Sequence, residues 1–335
     1  MNTMIKINNS NNFDIFRLLL AILVFFAHWN ILTKQNITNQ LFHLSGYAVD
    51  MFFIVSGFLI FWSFDADQNK KHFYIKRFFR IFPLYAFLIV LQTLFFIGFS
   101  SASFIELAKY FVSNIFFLNF LAPSVNATLS NLEVNAINGS LWTLKNEILF
   151  YLIVPTIFIL YKKFGAYFLL GLYCISVSYM FLVDYLGITK LLVQFPAQLR
   201  LFLVGIMLYI FFNKFNKNNI YFLASISLLC LFFNENNYFK FTLYPLCIGF
   251  IVIYIVYYSK YIKINFDFSY SFYILHFPVI QLFLYFGVNP DNPLISFIVL
   301  FSIILVLSYI SEKYIEKRFI QIGKNIIKKD KNASN

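Results

Sequence analysis

A chain of 335 residues that is 61% hydrophobic and 12% charged, with net charge +12 and mean hydropathy +0.75, does not have the composition of a soluble domain, in which about a quarter of residues carry charge. Successive runs of roughly 17 or more mostly apolar residues, the length a helix needs to cross hydrocarbon, are separated by short polar gaps. They predict an all-α polytopic membrane protein with no room for a sizeable soluble domain. Cys174, Cys230 and Cys247 fall inside apolar runs without metal-ligand or redox spacing; they read as packing residues, and no metal site is expected.

The first predicted span, 14 to 32, carries two groups that hydrocarbon disfavours, Arg17 and His28. Eleven residues at about 100° each end about 20° past three full turns, so both side chains share one face about 16 Å apart along the axis. Ionisable groups inside a bilayer cost roughly 2.5 to 3.5 kcal/mol on the lenient scale and therefore mark a cavity or a partner. This span has no small-residue cleavage site and is expected to be retained. Further spans are predicted near 46 to 63, 81 to 98, 141 to 161, 165 to 183, 196 to 213, 219 to 234, 239 to 258, 267 to 287 and 293 to 310, about ten in all.

With both termini cytoplasmic, most of the 26 Lys and Arg residues collect on the cytoplasmic side, as the positive-inside rule requires. The net charge is therefore first a topology signal. Nucleic acid is not implied, although a basic tail, 312 to 335, following a membrane domain of 1 to 311 can touch anionic headgroups. Segment 104 to 121 is apolar, but a crossing there would place the later basic loops outside, so a re-entrant or interfacial helix is expected. The Asn- and Ser-rich stretch from Ala122 to Ser140 then becomes the main extracytoplasmic loop.

Orientation assigns depths to the charged groups. Asp50, Lys145, Glu147 and Arg200 begin inward-going spans and fall in the outer part of the membrane, with His28 two-thirds of the way out and His276 near mid-depth. The structural alternative pairs Glu147 with Arg200 and Asp50 with Lys145, and lets both histidines bond carbonyls. Six such residues on five spans favour a site, because a purely structural bundle would use leucine there. On the cytoplasmic side, Arg77 and Arg80 in KKHFYIKRFFRIFPLY stand three apart on one helix face. They are placed either to grip a phosphate or to act as a positive-inside anchor. His43 and His72 fall in predicted connectors and read as solvated.

These residues occur in motifs that resemble, in order and over nearly the full length, the acyltransferase-3 family of integral-membrane O-acyltransferases. Arg17 and His28 fit its arginine, ten residues, histidine signature. YAVDMFFIVSGFLI (47 to 60), KRFFRIFPLY (76 to 85), SLWTLKNEILFYLIVP (140 to 155), RLFLVG (200 to 205), DFSYSFYILHFPV (267 to 279) and YIEKRF (314 to 319) resemble its later motifs. Ala48, Lys145, Asn146, Phe266 and Arg318 depart from the usual residues, and Lys145 lies nearest the chemistry.

The resemblance implies acyl transfer, usually acetyl, from a cytoplasmic acyl-CoA such as acetyl-CoA to a hydroxyl of a cell-surface carbohydrate or its lipid-linked repeat unit, such as O-antigen, at a bacterial inner membrane. It implies donor binding by Arg17, Arg77 and Arg80, and chemistry at His28 as base or nucleophile. Glu147 or, in competition, Asp50 would orient that imidazole. Lys145, Arg200 and Ser56, the last with the Gly57 backbone, would support the developing oxyanion, with Tyr270 and His276 as further supporting residues. Only residues 311 to 335 follow the last predicted span, so the chain is expected to finish the transfer itself or hand over to a separate protein. A transporter or flippase for a lipid-linked glycan is the alternative from another class, and a purely structural scaffold is a third.

Overall fold

The computed structural model describes residues 11–35, 44–233, 236–264, 266–288 and 292–334. In chain order the helices are α1 (Phe13–Thr33), α2 (Leu44–Asp65), α3 (Lys70–Phe99), α4 (Phe104–Ile115), α5 (Trp142–Phe164), α6 (Ala166–Tyr185), α7 (Phe195–Ile210), α8 (Lys217–Cys230), α9 (Asn237–Thr242), α10 (Tyr244–Ile253), α11 (Ser269–Tyr285), α12 (Pro293–Ser311) and α13 (Lys317–Ser334). Among the described residues there is no strand. Seven helical stretches among the described residues are long and apolar enough to cross a membrane: α1, α2, α3, α5, α6, Thr189–Ile210, which includes α7, and Pro293–Ala333, which joins α12 to α13. Large apolar side chains such as Leu94, Ile97, Leu152, Ile175, Leu228 and Val306 are more than half exposed, as lipid-facing residues are.

Three sequence expectations change. Helix α3 begins at Lys70 rather than near 81 and runs through Pro83 without a break, so His72 is not a solvated connector residue. It is 4% exposed and its Nδ1 lies 3.3 Å from Asp67 Oδ2; a buried imidazole needs such a partner. The predicted span 239 to 258 is divided into α9, α10 and a π-helical turn, Tyr254–Tyr258, because Pro245 lacks the amide that would continue α9. His43 lies outside the described residues. Cys230 and Cys247 are half-buried thiols, but Cys174 is exposed and is not a core packing residue.

Segment 104 to 121 forms a helix of only 12 residues, about 18 Å long and too short to span hydrocarbon. Ser103 and Glu106 close a capping box at its start, and the Ser103 backbone N–H holds the Glu106 carboxyl below its ordinary range. The helix buries Tyr110 and Asn114 and exposes Phe104, Ile105 and Val112. Leu107 packs with Tyr110 against the protein, while Glu106 and Lys109 are exposed beside the apolar Phe104, Ile105 and Val112, the mixed face of a helix lying at an interface.

The chain forms two compact units. The first comprises Met1–Arg17, Tyr47–Phe73 and Asn146–Asn265. In it, α2 and α7 meet through Gly57 and Gly205, where a Cβ on either glycine would overlap the backbone of the opposite helix at Phe202 or Ile54. Phe202 stacks on Phe150 with ring centroids 4.3 Å apart. Asn12 ties the start of α1 to the end of the π-turn, donating to Ser259 Oγ at 3.0 Å and to the Lys260 carbonyl at 3.1 Å.

The second unit comprises Leu18–Gly46, Tyr74–Lys145 and Phe266–Asn335. Phe25 packs among Phe272, Phe297 and Phe301, and Ser271 Oγ donates to the Ser308 carbonyl at 3.0 Å, joining α1, α11 and α12. The Asn- and Ser-rich loop is ordered by a small core of Phe96, Tyr110, Val125, Leu129 and Ile137. Gln281 pins it to α11 by donating to the Val134 and Ala136 carbonyls, both at 2.7 Å.

Candidate active site

The costly polar residues predicted from sequence fall into separate groups in the two units. In the second unit, His28 on α1 and His276 on α11 meet directly: Nδ1 of His28 lies 2.7 Å from Nε2 of His276, and the rings stack with centroids 5.0 Å apart. His276 is fully buried, and its Nδ1 lies 3.1 Å from the Phe272 carbonyl. A carbonyl only accepts, so His276 carries its proton on Nδ1 and presents a lone pair at Nε2. His28 must then donate from Nδ1, which leaves the lone pair of its own Nε2 outward. His28 is itself only half-buried, so that lone pair is the group the arrangement offers for chemistry. Phe277 stands edge-on against His28 at 5.0 Å.

Sequence reasoning gave the orienting bond on His28 to Glu147 or Asp50; in the structure His276 makes it. Glu147, in the first unit, accepts from Tyr151 Oη at 2.5 Å and Ser56 Oγ at 3.4 Å. Asp50 accepts from Tyr244 Oη at 2.6 Å and lies in the field of Arg200. Arg200 is 3% exposed and donates to the Ala197 carbonyl at 2.6 Å. The charge partner of Arg200 is thus Asp50, not Glu147. Ser56 and Gly57 lie inside α2, where amides are taken up by carbonyls four residues earlier.

Asn146, one of the departures, is buried and donates to the Val193 carbonyl at 2.9 Å, which fixes the turn ahead of α7. Lys145, in the second unit, holds its ammonium 4.7 Å from the centre of the Phe120 ring.

Arg77 and Arg80 lie on α3 as predicted. Arg80 is already held by two carboxylates: Nη2 to Asp267 Oδ2 is 2.6 Å and Nη1 to Glu316 Oε2 is 3.5 Å. Nearby, Tyr270 Oη donates to the Ile81 carbonyl at 2.9 Å. One guanidinium therefore joins α3, the start of α11 and the π-helical turn Glu312–Glu316 between α12 and α13. Glu316 is 2% exposed, so its charge depends on that cation. Arg80→Met is expected to lower stability by about 3 kcal/mol, read as a lower midpoint in SDS-induced unfolding; an unchanged midpoint would count against the anchor.

The residues that sequence reasoning missed are Tyr244, Tyr151, Asp267, Glu316 and Phe277. The tyrosines are hidden among 23 of their kind, and periodicity does not reveal a hydroxyl's partner. Asp267 and Glu316 sit in quoted motifs, and their charge at the edge of apolar runs was the available signal.

Several helices able to cross a membrane, and an imidazole pair that leaves one ring nitrogen with a free lone pair, define a multi-pass membrane protein with a site able to accept a proton. A family model described as an acyltransferase domain matches residues 10–313. The chain is 31% identical over 333 residues, 93% of its length and 97% of the relative's, to a protein named O-acetyl transferase from Shigella phage Sf6. It is 30% identical over 172 residues to Nodulation protein 10 of Rhizobium leguminosarum bv. viciae, covering 46% of this chain and 45% of that one. It is also 32% identical over 225 residues to an uncharacterized protein of Haemophilus influenzae, covering 56% and 88%. No solved structure matches. The chain belongs to the acyltransferase-3 family and is a membrane acyltransferase.

Proposed function

We propose that this chain is an O-acetyltransferase of the bacterial inner membrane, with about ten crossings and both termini cytoplasmic, that moves acetyl from cytoplasmic acetyl-CoA to a hydroxyl of a cell-surface glycan or its lipid-linked repeat unit, such as O-antigen. The observation that carries the reading is the His28–His276 pair with Nε2 of His28 left as a base. Nε2 takes the proton of the acceptor hydroxyl as its oxygen forms a bond to the thioester carbonyl carbon. The carbon–sulfur bond then breaks, and the proton returns from Nε2 to the departing thiolate.

The roles implied by the resemblance are carried with this reading. Arg17, Arg77 and Arg80 bind donor phosphates through charge-assisted bonds, with Arg80 also held by its two carboxylates. Glu147, Asp50, Arg200, Lys145 and Ser56 are polar groups available to the developing charge and the acceptor, and Tyr270 supports α3 through Ile81. Residues 1 to 311 form the catalytic membrane domain and 312 to 335 the basic cytoplasmic tail.

Protein in proteoliposomes given acetyl-CoA and the host's lipid-linked glycan is expected to release CoA and produce acetylated glycan. Mass spectrometry of surface glycans from a deletion strain is expected to show loss of acetyl mass. Glycan counterflow without CoA release would overturn the reading in favour of a transporter.

A further inference from the structure

The second unit contains a cavity of about 150 Å³ whose walls include Phe117, Asn119, Phe120, Ala136, Trp142 and Lys145. A cavity of about 150 Å³ is the size that admits one six-membered ring. Its walls combine aromatic faces, amides and one cation, the set that recognises a ring bearing hydroxyls: faces for the C–H side, polar atoms for the oxygens.

Three observations separate this cavity from a packing gap. Phe117 has φ +62°, the left-handed conformation that ends many helices and that glycine normally supplies. Its amide bonds the Asn114 carbonyl at 2.9 Å, and its ring stacks on Tyr85 at 4.2 Å. An aromatic ring is thus held in the wall against backbone preference, and such strain concentrates at ligand sites. Asn119 spends both amide hydrogens, on Tyr85 Oη at 3.0 Å and on Asn114 Oδ1 at 2.6 Å. Its own Oδ1 is buried behind the wall and has no donor among the described residues, so a ring hydroxyl supplies the missing donor once the amide turns toward the cavity. Finally, one ring links the cavity to the chemistry: Gly139 in its wall lies against the Phe277 ring so closely that a methyl would overlap it, and Phe277 stands edge-on to His28.

We infer that this cavity is the acceptor subsite and seats a single pyranose ring of the glycan, stacked on the aromatic wall, with one ring hydroxyl donating to Asn119 Oδ1 and a second oxygen facing the Lys145 ammonium. The inference rests on the carbohydrate-acceptor reading. It adds where the sugar sits and that one ring is recognised at a time.

Two measurements test it. In saturation-transfer NMR, the full chain in lipid nanodiscs is given methyl glycosides of glucose, galactose, mannose and rhamnose at millimolar concentration. At least one is expected to show ring-proton signals, reduced roughly three- to tenfold in Phe117→Gly, which removes a stacking face, and abolished in Ala136→Phe, which fills the space. Phe117→Gly relieves backbone strain, so its thermal midpoint is expected to stay near wild type, which separates lost binding from lost folding. In the transfer assay the same variants are expected to raise the acceptor KM more than they lower kcat. Absence of signal from all four glycosides, or equal signals in wild type and Ala136→Phe, overturns the subsite. If the wild type transfers no acetyl yet binds a glycoside through this cavity, the subsite stands and the acetyltransferase reading fails. If it transfers acetyl with an acceptor KM unmoved by Ala136→Phe, the reading stands and the subsite fails.

Discussion

Replacing His28 with alanine is expected to lower kcat for acetyl transfer by about 10²- to 10⁴-fold while leaving both KM values within a few-fold, because only the proton transfer at Nε2 is lost. The partner residue gives the sharper test. His276 accepts from His28 through Nε2 and donates to the Phe272 carbonyl through Nδ1. Glutamine at 276 reaches about as far as Nε2 and supplies an acceptor oxygen; asparagine reaches only to Nδ1. His276→Gln is therefore expected to keep activity within about tenfold, and His276→Asn and His276→Leu to lose about a hundredfold in kcat. Equal losses in all three would assign His276 to packing alone. Full activity in His276→Leu would remove the tautomer argument, since nothing would then fix the proton on Nδ1 of His28.

The second large effect concerns the helix crossing in the first unit. Gly57→Ala and Gly205→Ala are each expected to destabilise the protein by about 3 kcal/mol or more, above the usual range for a core methyl. The obstructing atoms are the Phe202 and Ile54 carbonyl groups, and backbone cannot turn aside as a flexible side chain can. Close backbone approach at small residues is also how helices associate where lipid supplies no hydrophobic drive. Because the two glycines face each other across one contact, the double variant should cost less than the sum of the singles. Gly98→Ala and Gly171→Ala, whose surroundings are open, serve as controls and are expected to leave the SDS-unfolding midpoint unchanged or slightly raised. Similar losses at all four glycines would show that the crossing has no special role.

Much of this architecture was legible in the sequence, for a simple reason. A membrane span must satisfy its own backbone and present apolar side chains, so its length and position follow from hydropathy. The helices at 13–33, 44–65 and 142–164 coincide with predicted spans to within a few residues. Breaks were harder to see: Pro245 divides a predicted span, whereas Pro83 does not interrupt α3, and the two prolines look alike in one dimension. Buried charge marked Arg17, His28, Asp50, Glu147, Arg200 and His276 as costly, but cost does not name a partner. Partners arise from contacts between distant segments, as in His28 with His276 and Arg80 with Asp267 and Glu316. The acceptor cavity was the least visible. Its wall comes from a polar loop with no periodicity, and its most telling residue, Phe117, is unusual only in its backbone angle.

The exposed apolar residues of α4 bear on how a substrate arrives. Phe104, Ile105 and Val112 face outward beside Glu106 and Lys109, and the exposed side chains of Phe116, Phe120 and Leu121 carry an apolar surface on to the edge of the sugar cavity. The cavity's threshold is thus greasy on one flank. A sugar carried on a lipid tail can glide to it within the plane of the membrane, searching in two dimensions, whereas a free oligosaccharide must find the opening from the water. Catalysis on tethered acceptors should then follow their density in the bilayer rather than their concentration in solution.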